Sequence, residues 1–532
     1  MIKKYLVPLI LLVLISQACT QTKPTSAGSL ADAKGNGISV SGTKFIDSFG
    51  RQVIFSGFNY VNKDPGKNYL ENDSSEVFKR LNSWGVNCLR LGIIWDGVEP
   101  EPGKYDGKYL DEIEKKVNWA AMHNIYVMLD MHQDLYSRKY SDGAPLWATL
   151  DDNLPHQTGA IWSDAYLMSM AVQRSFDNFW ANKPASDGVG VQDHYINMWK
   201  HIAKRFSNYK NVIGYDLMNE PFNGSNANLV MPEILSEYAK MLVEETGQAP
   251  PSEQELMMMW AGEESRFEVL KKLTKADKYA RILDAAFEVN REFETTKLQP
   301  FYQRTADSIR SVDSNHILFL EHCYFVNPGI RSSIEPVKGK NGLPDTKQAY
   351  AAHGYDLLLD TKESDNLSNE RVELIFSRIQ ETSKRMNVPV LIGEWGGFSG
   401  EGAGCIPAAR FILGLFERFQ FGNTYWAYGR ETGNSPGFKN ALLRPYPQFI
   451  GGTLKSYTLN HDTGVFICAW EENSSVTAPT VIFIPDITNL KKDSIIFTPE
   501  KGNPVIQPIE YSKAGYLIIP VTGHNIIRTV EY

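Results

Sequence analysis

Cysteine is scarce: the 532 residues contain five, Cys19, Cys88, Cys323, Cys405 and Cys468, and none stands at a CxxC or zinc-ligand spacing. This excludes a disulfide scaffold and a cysteine-based zinc module. Cys88 and Cys323 lie inside apolar runs and read as buried thiols. No long basic run occurs and the formal charge is −8, so no nucleic-acid partner is expected. Beyond the N-terminus there is no further bilayer-spanning apolar run and no internal repeat. What is present suits a large folded core. The chain is 42% hydrophobic, 12% aromatic and 22% charged, which excludes a disordered or collagen-like protein.

The first residues read as an export signal: Lys3 and Lys4, an apolar run from Leu6 to Ile15, then Ser16-Gln17-Ala18-Cys19. A cysteine directly after small residues at the end of such a run resembles a bacterial lipobox. The expectation is a signal peptide over 1–18, a lipidated Cys19, and a flexible Thr/Ser/Gly-rich tether over 19–37. That places the protein at a bacterial cell envelope, attached to a membrane through its lipid anchor.

From residue 38 a hairpin pattern around Asp47-Ser48-Phe49-Gly50 leads into alternating apolar runs and helix-length amphipathic stretches. Eight runs read as strands, at Val53, Cys88, Tyr126, Val212, Ile317, Ala349, Val390 and Thr424. Strand–helix alternation repeated eight times predicts an α/β fold, a (β/α)8 TIM barrel over 38–446. Residues 225–300 are helical, rich in Met, Leu, Lys and Glu, and follow the fourth strand, so they form an insertion on the C-terminal face. From Pro447 the periodicity becomes strand-like without helices, predicting a small C-terminal β-sandwich over 447–532.

Active sites of such barrels form at the C-terminal strand ends. Those ends carry Arg90, His132, Asp134, Asn219, Glu220, His353, Tyr355, Glu394 and Trp426. Glu220 and Glu394 each close an otherwise apolar strand, where burying a charge is costly. Two carboxyls so placed suit glycosidic bond cleavage, one protonating the leaving oxygen and one attacking the anomeric carbon. Mutual repulsion is expected to raise the value of Glu220. No metal or organic cofactor is implied.

Asn219-Glu220-Pro221 ending the fourth strand, with Glu394 ending the seventh, resembles glycoside hydrolase family 5 and its clan of retaining barrels. The resemblance implies Glu220 as acid/base and Glu394 as nucleophile. Arg90 would brace the nucleophile, Asn219 bind the sugar 2-hydroxyl, His353 and Tyr355 form the sixth-strand His-x-Tyr, and Trp426 underlie the sugar. Asp130-Met131-His132-Gln133-Asp134, Gly57-Phe58-Asn59-Tyr60-Val61-Asn62-Lys63, Phe176-Asp177-Asn178-Phe179-Trp180 and Pro300-Phe301-Tyr302-Gln303-Arg304 resemble the endoglycoceramidase branch. By that resemblance Lys63, His132, Asp134 and Trp180 contact the sugar beside the cut, and the partner is a glycolipid or oligosaccharide substrate. Alternatives are an exo-acting β-glucosidase on glucosylceramide or sterol glucoside, a general endo-β-glucanase, and a non-catalytic glycan-binding lipoprotein. The Met257–Trp260 stretch of the insertion reads either as packed core, the commoner fate of such a stripe, or as the lining of an apolar channel for lipid tails.

Overall fold

The computed structural model describes residues 37–359, 361–398, 402–499 and 503–532. The expected signal peptide and Cys19 lie outside the described residues.

Three short strands precede the barrel: β1 (Ile38–Ser41), β2 (Lys44–Asp47) and β3 (Gln52–Val53). The first two pair as the expected hairpin. The Asp47 carboxylate holds its turn by accepting from the N–H groups of Phe49 and Arg51 and from Arg51 Nε. Val53 does not open the first barrel strand. It pairs antiparallel with Phe449 near the C-terminus, and the barrel strand begins three residues later.

The barrel consists of β4 (Ser56–Tyr60), β5 (Cys88–Ile94), β6 (Tyr126–His132), β7 (Val212–Asp216), β8 (Ile317–Leu320), β9 (Gln348–Tyr350), β10 (Leu391–Ile392) and β11 (Gly422–Tyr425). All neighbouring pairs are parallel, in the order β10-β11-β4-β5-β6-β7-β8-β9. A parallel bridge from Tyr350 to Val390 closes the ring. Every residue of β5 and β6 is buried, as expected of parallel strands covered on both faces. Gly214 permits the β7–β8 approach, since a Cβ there would lie 2.0 Å from the Ile317 carbonyl oxygen.

The C-terminal part adds β12 (Tyr446–Ile450), β13 (Gly452–Leu459), β14 (Phe466–Glu472), β15 (Thr480–Ile484), β16 (Ile496–Thr498), β17 (Val505–Pro508), β18 (Gly515–Ile519) and β19 (Ile527–Glu531). They form two sheets, β1-β2-β3-β12-β15-β18-β17 and β13-β14-β19-β16. A seven-stranded sheet thus takes three strands from the N-terminal side, and the boundary drawn at 447 cuts through it. Local periodicity identifies each strand but not its partner, which here lies some 400 positions away in the chain. One apolar cluster joins both sheets to the lower barrel residues Phe55, Cys88, Met128, Ile213 and Ile317. Tyr446 Oη donates to the Gly85 carbonyl at 2.5 Å. Gly85 has φ +82°, and a Cβ there would meet the Phe483 ring at 2.5 Å. Cys88, Cys323 and Cys468 are buried free thiols.

Between β7 and β8 the insertion forms helices Ala227–Thr246, Glu253–Ala261, Glu263–Lys272, Ala276–Asp284 and Phe287–Phe293. A π-helical turn, Glu294–Leu298, leads into Gln299–Arg310, which packs on the outside of the barrel.

Candidate active site

Arg90 sits at the centre of the barrel on β5 with no solvent exposure. Its Nε donates to Asp216 Oδ2 at 2.9 Å, and Nη1 to Glu394 Oε1 at 2.7 Å and Asn59 Oδ1 at 3.0 Å. Its Nη2 donates to Asp130 Oδ1 at 2.8 Å, Asn219 Oδ1 at 2.8 Å and Glu321 Oε1 at 2.7 Å. One guanidinium therefore serves four carboxylates, two of which, Glu321 and Glu394, also face His353 and, against the cost of burial, raise its imidazole well above the ordinary value. Burial pushes Asp130 up to about 7 and lifts Asp216 well above the usual range. Against the cost of burial, His353 and Arg90 hold Glu321 down to about 2.

Glu220 follows β7 with φ 44°, a left-handed conformation that costs about 1–3 kcal/mol outside glycine. Glu321 holds it there by accepting the Glu220 N–H at 2.8 Å, while Gln133 Nε2 donates to the Asn219 carbonyl at 2.8 Å. The Glu220 Oε1 accepts from Asn327 Nδ2 at 2.6 Å and from His353 Nδ1 at 3.0 Å. Burial, and then the charges of Glu394 and Asp134, push Glu220 up to about 7 against His353. Repulsion by Glu394, the expected cause, is secondary to desolvation.

Glu394 lies just past β10, bridged in parallel to His353. Besides Arg90, Tyr355 Oη donates to its Oε2 at 3.0 Å, and His353 Nδ1 stands 3.7 Å away. Burial raises it, opposed by His353, Arg90 and Lys63. The facing oxygens of Glu220 and Glu394 lie within 4.8 Å. Carboxyl groups about 5 Å apart match the spacing of retaining glycosidases, whereas inverting ones need about 6.5–9.5 Å.

Beside this pair, Trp426 stacks on His132 with centroids 5.2 Å apart and planes at 13°. The Lys63 ammonium lies 4.4 Å from the Trp426 centroid and pairs with Asp134. Asp130 Oδ2 accepts from His132 Nδ1 at 2.9 Å, leaving the buried Nε2 without a partner and 3.9 Å from Asp134. Against the cost of burial, Asp134 and Asp142 hold Lys63 above its ordinary value. Three groups have the geometry to share a cation: His132/Asp134/Asp142, Glu220/His353/Glu394 and Asp130/Asp216/Glu321. In each, a side-chain cation, Lys63 or Arg90, already binds one or more of the carboxylates.

The structure brings together Lys63, Arg90, His132, Asp134, Asn219, Glu220, His353, Tyr355, Glu394 and Trp426. Trp180 stands apart. Its indole N–H donates to the Phe222 carbonyl at 2.8 Å and its ring packs edge-on against Phe179, Phe293 and Phe301, outside the lining of the cleft. The apolar environment of a helix end, not a sugar, accounts for that ring. Asp130, Asp216, Glu321, His322 and Asn327 were not among the expected residues. Glu321 directly follows the apolar run of β8, the signal that singled out Glu220 and Glu394.

A cavity of about 300 Å³ runs from the carboxyl pair under the insertion, past Trp162, Ile234, Trp260, Leu270 and Tyr324. Arg266 fastens its rim, donating to Asp164 Oδ1 at 3.1 Å and to the Trp260 carbonyl at 3.0 Å. Trp260 lines the cavity as expected of the Met257–Trp260 stretch. Met257 and Met258 do not: they are 51% and 66% exposed on the outer side of their helix.

A buried arginine ringed by strand-end carboxyls, one of which, Glu394, faces Glu220 across a cleft, defines a glycosidase-type barrel. Residues 46–432 match the family model "Cellulase (glycosyl hydrolase family 5)", and 444–506 match its C-terminal domain. The chain belongs to glycoside hydrolase family 5. Among its relatives, an endoglycoceramidase of Cyanea nozakii is 36% identical over 226 residues, 36% of this chain and 44% of that protein. Endoglycoceramidase I of Rhodococcus hoagii is 24% identical over 85% of this chain and 80% of its own length. The structure of endo-glycoceramidase II from Rhodococcus sp. in complex with ganglioside GM3 superposes with a TM-score of 0.70 at 25% identity, over 92% of this chain and 99% of that one. The same protein is also known as a lactosyl-enzyme intermediate. The matched stretch covers less than half of the Cyanea relative.

Replacing Arg90 by Met is expected to destabilise the fold by about 3–5 kcal/mol at pH 8, because it strands buried carboxylates. Raised carboxyls oppose folding increasingly as pH climbs from the ordinary aspartate range through about 7. Urea unfolding at pH 5 is therefore expected to show a smaller deficit, and an equal deficit at both pH values refutes this account.

Proposed function

We propose that the protein is a retaining β-glycosidase that cleaves the bond between glycan and ceramide in glycosphingolipids. The observation that carries this reading is the continuity of the polar carboxyl site with the apolar cavity beneath the insertion. Such a cleft suits a substrate that is sugar at one end and lipid at the other. The endoglycoceramidase relatives support the same substrate class.

In this reading Glu394, kept ionised by Arg90 and Tyr355, attacks the anomeric carbon. Glu220 protonates the leaving ceramide oxygen, and then as carboxylate takes a proton from the water that hydrolyses the glycosyl-enzyme. Trp426, His132, Lys63 and Asp134 would hold the sugar next to the cut, and Asn219 its 2-hydroxyl. We further propose that the chain is exported and held at a bacterial envelope by lipid on Cys19, which keeps the cleft near glycolipid.

Glu394→Gln should abolish turnover. Glu220→Gln should lose it on glycolipids yet still show glycosylation by aryl glycosides with good leaving groups. Because the acid must be protonated, wild-type kcat/KM should fall as pH rises past about 7. A rate that stays level to pH 9 removes Glu220 from the acid role.

Each buried tail methylene is worth about 0.8 kcal/mol, so a few contacts suffice for discrimination. Ile234→Ser with Trp260→Ser should lower kcat/KM for a glycosylceramide more than tenfold while sparing the same glycan on a short polar aglycone. Equal wild-type rates on both aglycones, or turnover of cellopentaose alone, would favour a general β-glucanase.

Cys19→Ala should move the protein from the membrane to the soluble fraction or leave it as precursor. Membrane attachment unchanged in the variant contradicts the anchor.

A further inference from the structure

A second line of buried polar groups, none of them in contact with Arg90 among the described residues, reaches Glu220. Asn327 follows the short turn Tyr324–Val326 after β8 and donates through Nδ2 to Glu220 Oε1 at 2.6 Å. Its Oδ1 lies 2.8 Å from His322 Nε2. His322 Nδ1 contacts Tyr350 Oη. All three side chains are buried, and the bonds follow one another without a gap.

The direction of this line follows from Glu220. Among the described residues, both hydrogen bonds to the Glu220 carboxyl fall on Oε1, from Asn327 and from His353. An oxygen that accepts two N–H groups is the carbonyl-like oxygen of the acid. Asn327 must then turn its amide nitrogen to Glu220 and its oxygen to His322. A carbonyl oxygen only accepts, so His322 carries its proton on Nε2, and Nδ1 accepts from the Tyr350 hydroxyl. Burial keeps His322 neutral, down at about 3, so the tautomer does not change over the working range.

We propose that Asn327, locked by His322, is a positioning residue that reserves Glu220 Oε1 as an acceptor and so places the transferable proton on Oε2. Rotation of the carboxyl would bring a hydroxyl against two N–H donors and is disfavoured. The same Asn327 donor favours the ionised carboxylate that acts as base in the second step. The other charged and titratable groups facing Glu220 are His353 from beyond β9, Glu394 from beyond β10, Glu321 from beyond β8, Asp134 from beyond β6 and Tyr166 from the helix Ala165–Met168. The proposal rests on the acid/base reading of Glu220, but its first test does not.

That test is the ¹⁵N spectrum of selectively histidine-labelled wild-type protein, with the His322 signals assigned by their loss in His322→Gln. The Nε2–H tautomer is expected, and an Nδ1–H tautomer overturns the proposal whether or not the protein is a glycosidase. The second test is the pH profile of kcat/KM in Asn327→Leu. Loss of a donor to the carboxylate should move the alkaline limb upward by half a unit or more. With an activated aryl glycoside, kcat, limited by the base step, should fall about tenfold with KM changed less. His322→Phe, which frees the Asn327 amide to turn, should shift the limb in the same direction by less. A lower rate with the limb unmoved in either folded variant marks a merely structural contact and overturns the proposal. If neither variant folds, the tautomer decides.

Discussion

The site depends on one buried guanidinium having too few charges for its neighbours. Arg90 touches carboxylates that project from the ends of β6, β7 and β8 and from beyond β10, so a single side chain ties half the barrel rim together. Burial lifts both Asp130 and Asp216 above the usual carboxylate range just beneath the candidate pair. The arrangement reaches further through second contacts. Asp130 orients His132, on which Trp426 stacks, and Glu321 holds both the Glu220 backbone and one side of His353. Both carboxyls of the candidate pair thus inherit their position from Arg90, Glu394 directly and Glu220 through Glu321.

The barrel and its two opposed glutamates were legible because each depends on local pattern. Apolar runs of strand length mark β5 to β8, and a charge ending such a run is conspicuous. Helices Val191–Phe206 and Asn369–Met386 fill the helix-length amphipathic stretches that alternate with the strands. The destination of β1 to β3 was not legible, since strand pairing between residues 52–53 and 449–450 leaves no trace in either segment alone. Nor was the division of the carboxylates among roles. Asp130, Asp216, Glu321 and Glu394 resemble one another in sequence setting and all reach Arg90, and only the placing of Glu394 opposite Glu220 sets it apart.

The insertion shows the same limit from the apolar side. Its composition marked it as a source of apolar surface, but composition is blind to helix rotation. Met257 and Met258 turn outward, whereas Trp260, two positions further along, turns into the cavity with Ile234 and Leu270 from neighbouring helices. A helical segment presents successive residues at about 100° to each other, so a four-residue motif cannot all face one ligand. Trp180 shows the converse: an aromatic at a motif position packs against Phe179, Phe293 and Phe301 at a helix end, away from the cleft lining.

Polar and apolar halves of the cleft therefore have different structural origins, and this has a mechanical consequence. The polar groups stand at or just past strand ends clamped by Arg90, and little freedom is left to them. The apolar groups stand on helices outside the barrel ring, fastened to the rim by contacts such as Arg266 with Asp164. Bond cleavage demands geometry within a fraction of an ångström, while an apolar wall supplies only volume and surface. Placing the first on the barrel and the second on an inserted helical layer lets the apolar wall vary without disturbing the carboxyl pair. Asn327 stands where the two halves meet, lining the cavity while bonded to Glu220, so the Glu220 carboxyl is held from the apolar half of the cleft as well as from the polar half.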